Sequence, residues 1–442
     1  MSKVGRWRLP AWFNRDLGWI TASRAFRSAS QGYLGVIVPL YLLQIGFNAV
    51  SLGELFTIGA IISAVLTVAV SLLADRIGRK PFLIIFPIFT AIGAIVFILT
   101  RNFWVIIAAS SLGTLGRAGG AGMAGAGGPF YPAQQALIAD HASAKDRNQI
   151  FSVFSTSDAL AGAVGALLAG IPDILVNQAH YTPVDAYKPL FIFTSILAIC
   201  TALAILPVTE TVKRRDAKDG PRKFLPQQSR GVIGRLAITN LVNGVGVGFF
   251  APFIAYWFNQ RFGEGPGTIG ILFAAVNLGA AVPYLLAPLL ASRFGLVNAV
   301  VRIRLIGVVL LAILPWMPTF TLAALVYFLR MTFQRASIPL RQSYSMGVVA
   351  REERSSAAGI SNLPSQVSSA AAPLAAGYIF ETISLEIPFE IGAAFQLLNA
   401  VLFYSLFRDI RPPEEAGRGA AQKVVPAEKV EEIEERAVGI DP

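Results

Sequence analysis

The amino-acid sequence predicts an all-α membrane protein with twelve transmembrane helices, arranged as two six-helix halves of the same orientation. Of the 442 residues, 54% are hydrophobic and only 14% are charged, whereas about a quarter of a soluble protein's residues are charged. Apolar runs of about 20 residues, the length that crosses a bilayer core, recur along nearly the whole chain. In addition, two groups of residues repeat at a fixed distance, which indicates an internal duplication.

Twelve apolar runs, numbered span 1 to span 12, account for most of the chain. They lie near residues 18–46, 50–73, 81–100, 104–139, 148–172, 188–207, 232–258, 267–291, 297–317, 319–347, 354–380 and 387–407. An even number of spans places both termini on one side of the membrane. Lysine and arginine are concentrated in the two tails and in alternate loops, whereas the opposite loops hold only Arg101, Lys188 and Arg261. This asymmetry predicts a multi-pass protein of the cell membrane with both termini in the cytoplasm.

The repeat divides the chain into its halves. Residues of span 2 and the loop after it, from Gly53 to Gly78, recur 217 positions later, from Gly270 to Gly295. Residues of spans 4 and 5 recur 207 positions later. The expected organisation is an N-terminal tail, an N-terminal half, a cytoplasmic linker, a C-terminal half and a charged tail, at 1–17, 18–207, 208–231, 232–410 and 411–442.

A charged motif stands between spans 2 and 3, in the sequence SLLADRIGRKP at residues 71–81. It resembles the cytoplasmic signature of the major facilitator superfamily, with Ser71 in place of the family's first glycine and matches at Asp75, Arg76, Gly78, Arg79 and Lys80. Gly78 permits a tight turn, and the basic side chains can reach acids on adjacent helix ends, of which Asp140 is the best candidate. The resemblance implies a latch that breaks when the halves rock. The alternative is a basic loop that only sets the topology.

Span 4 contains the glycine-rich stretch RAGGAGMAGAGGPFYP, residues 117–132, which includes a literal GxGxxG. No strand precedes it, so we expect a close-packed membrane helix kinked at Pro129 and Pro132, and no nucleotide site. An arginine followed by glycines, a Pro-Ala and a terminal acid resembles the drug-exporting branch of the superfamily. The antiporter signature of span 5 is degenerate, since GALLAG at 165–170 lacks its proline.

Charged side chains at membrane depth are candidates for function, because burying them in lipid costs several kcal/mol. Asp158 is expected near the midplane of span 5, and Arg117 at a similar depth in span 4. We hypothesise that Asp158 accepts a proton and, with Arg117, couples proton movement to the rocking of the halves. The alternative is a static ion pair that braces two helices.

Further polar side chains lie in spans 1, 7 and 10, which line the central cavity in the resembled family. These candidates for substrate contact are Arg24, Gln31, Tyr33, Asn240, Asn243, Arg330 and Gln342. Each of them could instead form a hydrogen bond between helices. The excess of deep arginines over acids favours an anionic substrate.

The leading functional hypothesis is a secondary active transporter that moves a small organic solute by alternating access, with proton-coupled efflux ahead of the uptake of an organic anion. A transporter-like sensor that signals through residues 411–442 is the alternative from another class. We expect no enzyme, cofactor or metal site, since His141 and His180 have no companions at ligand spacing and no GK[ST] is present. The expected partners are the lipid bilayer and the solute, with a coupling proton, no nucleic acid and a monomeric state.

Overall fold

The computed structural model describes residues 14–113, 115, 130, 133–134, 137–138, 147–210, 229–279, 293–349, 354–408 and 410. Within these ranges the chain is helical apart from short turns and connections. In the N-terminal half the helices are Arg15–Gln44, Ala49–Ile77, Lys80–Leu99, Phe103–Gly113, Arg147–Leu168, Ile171–Ala179 and Lys188–Ile205. In the C-terminal half they are Arg230–Gly248, Ile254–Phe262, Pro266–Leu278, Leu296–Ile313, Phe320–Gly347, Arg354–Thr382 and Ile387–Phe407.

These helices confirm the predicted fold class, an all-helical membrane protein of twelve spans in two halves. Seven segments of the described chain are long and apolar enough to cross a membrane by length and composition. Spans 1, 10 and 11 are long helices of lower hydrophobicity, because they carry the polar and charged side chains considered below. Spans 4 and 8 are described only in part.

Two spans are interrupted and extend further than the sequence predicts. Span 5 ends its first helix at Leu168 and restarts at Ile171, where Pro172 occupies the first turn. Span 7 passes through a 3₁₀ turn at Ala251–Phe253 and continues to Phe262. The predicted ends at 172 and 258 are too early, because polar residues end each apolar run while the helix continues past them.

The halves share a hydrophobic core. One continuous cluster of buried side chains includes residues of both halves, and rings of the two halves meet directly where Phe56 of span 2 packs edge-on against Phe253, with centroids 5.4 Å apart. Aromatic pairs of this kind favour edge-to-face geometry. Trp257 and Phe389 continue the aromatic packing within the C-terminal half, with ring centroids 4.8 Å apart.

The halves also touch backbone to backbone along spans 2 and 11 and along spans 5 and 8. A Cβ atom added at Gly53 would lie 2.5 Å from the carbonyl oxygen of Pro373, and one added at Gly377 would overlap the carbonyl of Ala49. Gly270 has the same relation to Ala166. All three contacts lie toward the end of the bundle where spans 2 and 8 begin and spans 5 and 11 end, which we call the far end. The described halves are therefore joined at the far end.

Candidate functional site

A deeply buried ion pair joins spans 1 and 5. The Nε atom of Arg24 donates to Asp158 Oδ2 at 2.5 Å, and Nη2 of the same guanidinium also contacts this oxygen. Ser28, one turn further along span 1, donates from Oγ to Asp158 Oδ1 at 2.8 Å. Arg24 is 6% exposed and Asp158 8%. Both oxygens of the carboxylate are thus bound by one helix.

The depth of this pair follows from helix geometry. Arg24 is nine residues beyond the start of span 1, and Asp158 is eleven beyond the start of span 5. At 1.5 Å per residue, both lie about 14–17 Å from the end of the bundle that carries these helix starts. The pair therefore lies about a third of the way along each span, since span 1 runs from Arg15 to Gln44 and span 5 from Arg147 to Ala179.

Small residues bring the two helices close enough to form the pair. A Cβ atom added at Gly165 of span 5 would overlap the carbonyl of Ala29, and one added at Gly32 of span 1 would overlap the carbonyl of Gly162. Gly162 and Gly165, the second of which opens the GALLAG stretch, therefore present bare backbone against which span 1 packs. This contact begins about one helical turn from the ion pair on each helix.

The predicted partner of Asp158 was Arg117, which lies outside the described residues. The observed partner is Arg24, which the sequence suggested only as a contact for substrate. Sequence reasoning missed this pairing because spans 4 and 5 are neighbours in sequence, whereas spans 1 and 5 meet only in the folded bundle.

The charged motif between spans 2 and 3 meets an acid that the sequence analysis did not identify. The backbone N–H of Arg79 donates to Glu210 Oε1 at 2.6 Å, and that of Lys80 donates to Glu210 Oε2 at 3.0 Å. Lys80 Nζ donates to the carbonyls of Leu206 and Val208, at 2.7 and 2.8 Å. Glu210 therefore caps the start of span 3, where a carboxylate stabilises the exposed N–H groups and the helix dipole.

The turn that enters this cap requires a glycine. Gly78 ends span 2 with φ of +98°, in the region that residues with side chains rarely adopt. The space above its Cα is also occupied, because an added Cβ atom would lie 3.0 Å from Glu210 Oε2. Asp75 and Arg76 belong to the last turns of span 2, although their side chains are outside the described part, and so is Asp140.

Two of the proposed substrate contacts form hydrogen bonds between helices. Tyr33 is fully buried, and its hydroxyl shares a hydrogen bond of 2.8 Å with Thr194 of span 6. Asn240 is 6% exposed and donates from Nδ2 to the carbonyl of Ser361 in span 11 at 2.7 Å. These arrangements correspond to the alternative that the sequence analysis left open.

Gln31 and Asn243 line cavities, one in each half. Gln31 shares its cavity of about 360 Å³, opening included, with Arg27, whose guanidinium carbon lies 4.7 Å from the centre of the Phe130 ring. The cavity that contains Asn243 has about 260 Å³ of space, opening included, and lies among spans 7, 9, 10 and 12. Gln342 has an exposed side chain on span 10.

Arg330 is a buried cation of span 10, with 1% of its surface exposed. Its guanidinium carbon lies 4.4 Å from the centre of the Phe250 ring, and Nη1 lies 3.5 Å from the sulfur of Met331. Among the described residues, Nε and Nη2 have no hydrogen-bond partner. A face-on ring offsets part of the cost of burying the charge, but it leaves donors for a further group.

At the far end, each half supplies one carboxylate to the helix start of the other. Asp173 of span 5 accepts from the backbone N–H of Gly267 in span 8 at 2.7 Å. Glu381 of span 11 accepts from the N–H of Ala49 in span 2 at 2.9 Å. We call these two contacts the far-end clasps. They have related positions in the two halves, and both place a negative charge at a helix N-terminus, where it is stabilising.

Within the part of the chain that the structure describes, no group of three or more histidine, cysteine, aspartate or glutamate side chains comes together. The acids described above are each bound by N–H, hydroxyl or guanidinium groups. The arrangement joins neighbouring helices through charge-assisted contacts.

Comparisons with known proteins agree with this architecture. The model of the Major Facilitator Superfamily matches residues 20–234 and 236–438. Curated relatives include multidrug resistance protein MdtG of Proteus mirabilis, 25% identical over 58% of this chain and 60% of that protein, and MdtG of Serratia proteamaculans, 24% identical over 58% and 59%. The match thus spans about three fifths of the curated relatives' length.

Solved structures with a similar fold include a mutant of nucleoside transporter NupG, with a TM-score of 0.70 and 14% identity over 89% of this chain and all of that one. A bacterial homologue of the human lysosomal transporter Spinster, inward-facing and unoccupied, has a TM-score of 0.67 and 13% identity, covering 91% of this chain and 98% of that one. At these identities the likeness concerns the fold alone.

Proposed function

Because the chain belongs to the major facilitator superfamily, we propose that it is a secondary active transporter that exports a small organic solute in exchange for protons. The observation that carries the coupling is the buried Arg24–Asp158 pair between spans 1 and 5. Burying charged side chains in a membrane costs free energy, so a buried ion pair indicates a structural or a functional role.

In the proposed mechanism, Asp158 takes up a proton and releases Arg24. Neutralising the carboxylate removes the charge that holds the guanidinium, so the contact between spans 1 and 5 loosens at this level. Removing one partner of a buried ion pair costs about 3–5 kcal/mol. Reversing a two-state population from 1:99 to 99:1 requires about 5.5 kcal/mol. One proton at this position is therefore comparable in energy to the whole conformational step.

Alternating access requires that the far-end clasps open. In the structure they join spans 5 and 8 and spans 11 and 2, next to the glycine contacts that seal the same end. We propose that this end faces outward and that both termini are cytoplasmic, because lysine and arginine are concentrated in the loops of the opposite end. The structure then corresponds to a state closed to the outside.

The direction and the substrate are inferred from two further observations. Export is supported by the relatives named multidrug resistance proteins, together with the resemblance of span 4 to the drug-exporting branch. Uptake of an organic anion is the second candidate function, favoured by Arg330, whose buried guanidinium offers donors near the level of Phe250.

The cytoplasmic motif at Arg79 and Lys80 is proposed to take part in gating through its contact with Glu210.

Transport by purified protein in liposomes tests these proposals. An imposed pH gradient, combined with a panel of cationic dyes and small carboxylates, distinguishes export from uptake by the sign of the flux. Asp158→Asn should abolish the dependence of flux on the gradient, whereas Asp185→Asn, at an exposed carboxylate paired with Lys188, should retain it. Gradient-driven flux at normal rates in Asp158→Asn would contradict the coupling role.

A further inference from the structure

The cavity among spans 7, 9, 10 and 12 has a polar lining that the proposed mechanism does not use. It encloses about 260 Å³ including its opening. Its polar side chains are Asn243, Arg304, Gln334, Ser337 and Gln396. Arg304 is eight residues beyond the start of span 9, so the cavity lies about 12 Å from that end of the bundle.

Two buried donors in this lining have no hydrogen-bond partner among the described residues, Nε of Arg304 and Nε2 of Gln396. The described lining contains one guanidinium and three amides but no carboxylate. A second arginine, Arg341 of span 10, lies close enough for its charge to act on Arg304. Buried polar groups in native proteins are almost always satisfied, so unpaired donors at a cavity indicate an acceptor.

The internal repeat supplies a comparison within the same chain. The N-terminal half has an equivalent cavity among spans 1, 3, 4 and 6. Pro87 of that cavity is 217 positions before Arg304, and Phe130 is 207 positions before Ser337, the two offsets of the sequence repeat. At both positions the C-terminal half has a polar side chain where the N-terminal half has an apolar one.

From these observations we propose that the cavity of the C-terminal half binds an anionic group of carboxylate or phosphate size. The Arg304 guanidinium supplies the charge, and the amides of Asn243 and Gln396 complete the set of donors. Planar, charge-assisted hydrogen bonds of this kind suit a carboxylate or a phosphate. A soluble anion and the headgroup of an anionic lipid share this chemistry.

Binding is measured by the shift in thermal unfolding of the full-length protein, so the assay needs no transport. Sodium formate and sodium phosphate are titrated into protein in detergent, since a ligand of the folded state stabilises it in proportion to its occupancy. A second arm compares nanodiscs of phosphatidylcholine with and without phosphatidylglycerol. Arg302→Gln is the matched control, because it removes a charge from the same helix at an exposed position, where its guanidinium stacks on Phe294.

We expect saturable stabilisation of the wild type and of Arg302→Gln, and an affinity at least tenfold weaker in Arg304→Gln. Ser337→Phe, which introduces the side chain of the equivalent N-terminal position, should block binding while Arg304 is kept, so it carries the test if Arg304→Gln does not fold. Stabilisation by formate or phosphate assigns a soluble anion, and stabilisation by phosphatidylglycerol alone assigns a lipid headgroup. Equal responses in all variants, or no response in either arm, overturn the proposal.

Discussion

The far-end clasps provide the sharpest mechanical prediction, because each joins the two halves through one hydrogen bond. Asp173 accepts from the N–H of Gly267, and Glu381 accepts from the N–H of Ala49. Replacing both acids by their amides, Asp173→Asn and Glu381→Gln, keeps the shapes but removes the charges. The double variant should open at the far end more often than the wild type.

The expected change in the population of the open state follows from the two hydrogen bonds that are weakened. A hydrogen bond to a charged group contributes about 1.5–3 kcal/mol, and a neutral acceptor gives roughly half of that. Each substitution therefore destabilises the closed state by about 1 kcal/mol, and the effect is smaller at Glu381, which is more exposed than Asp173. Together they change the ratio of open to closed molecules about thirtyfold. An open state populated at about 1%, within the usual range for minor states, would rise to roughly a quarter.

The assay is a distance measurement between spin labels across the far end. The chain has one cysteine, Cys200, so Cys200→Ser gives a background free of other thiols. Labels at Gln178→Cys and Gln260→Cys, both exposed and one on each half, report on the separation. We expect one short distance in the wild type and an added long component in the double variant. An unchanged distribution would refute the reasoning that these bonds hold the far end closed.

Three further predictions concern helix contacts. Gly165→Ala places a methyl group against the backbone of span 1 and should lower the free energy of unfolding by about 1–3 kcal/mol. Gly234→Ala is the control, because an added Cβ atom there meets no atom within 4 Å and should cause no such loss. Thermal unfolding compares the two variants, and equal midpoints would contradict the close packing at Gly165. Glu210→Gln should cost about 0.5–2 kcal/mol by weakening the cap of span 3, with Glu264→Gln as the control in the same unfolding assay. Tyr33→Phe should keep transport and cost about 0.6 kcal/mol, and a lost flux would instead support a substrate contact.

Much of the fold could be predicted because hydrophobic length and charge asymmetry are local properties of a membrane protein. Most of the predicted spans agree with the observed helices to within a few residues. The errors occur where a helix outlasts its apolar run, as in span 5, which continues past Asp173 to Ala179. That extension carries the clasp residue, so its contact with span 8 could not be predicted.

The partners of the site residues depend on tertiary contacts that one sequence does not contain. Asp158 was predicted at membrane depth from its position alone, and it is buried there. Its partner Arg24 is 134 residues away in sequence. Glu210 was missed because it follows span 6 in a polar stretch that resembles a linker, and only the packing of spans 3 and 6 brings it to Arg79. The sequence does contain a signal for this contact, because Glu210 is an acid that lies close to the end of span 6.

The central claim is that proton uptake by Asp158 releases Arg24 and so couples transport to proton movement, and substrate-driven proton flux measures this directly. Purified protein is placed in liposomes that contain a pH-sensitive dye, and a gradient of a substrate identified by the liposome panel is imposed. The wild type and Asp185→Asn should move protons in the direction opposite to the substrate, whereas Asp158→Asn should move none. Proton flux at the wild-type rate in Asp158→Asn would contradict the account.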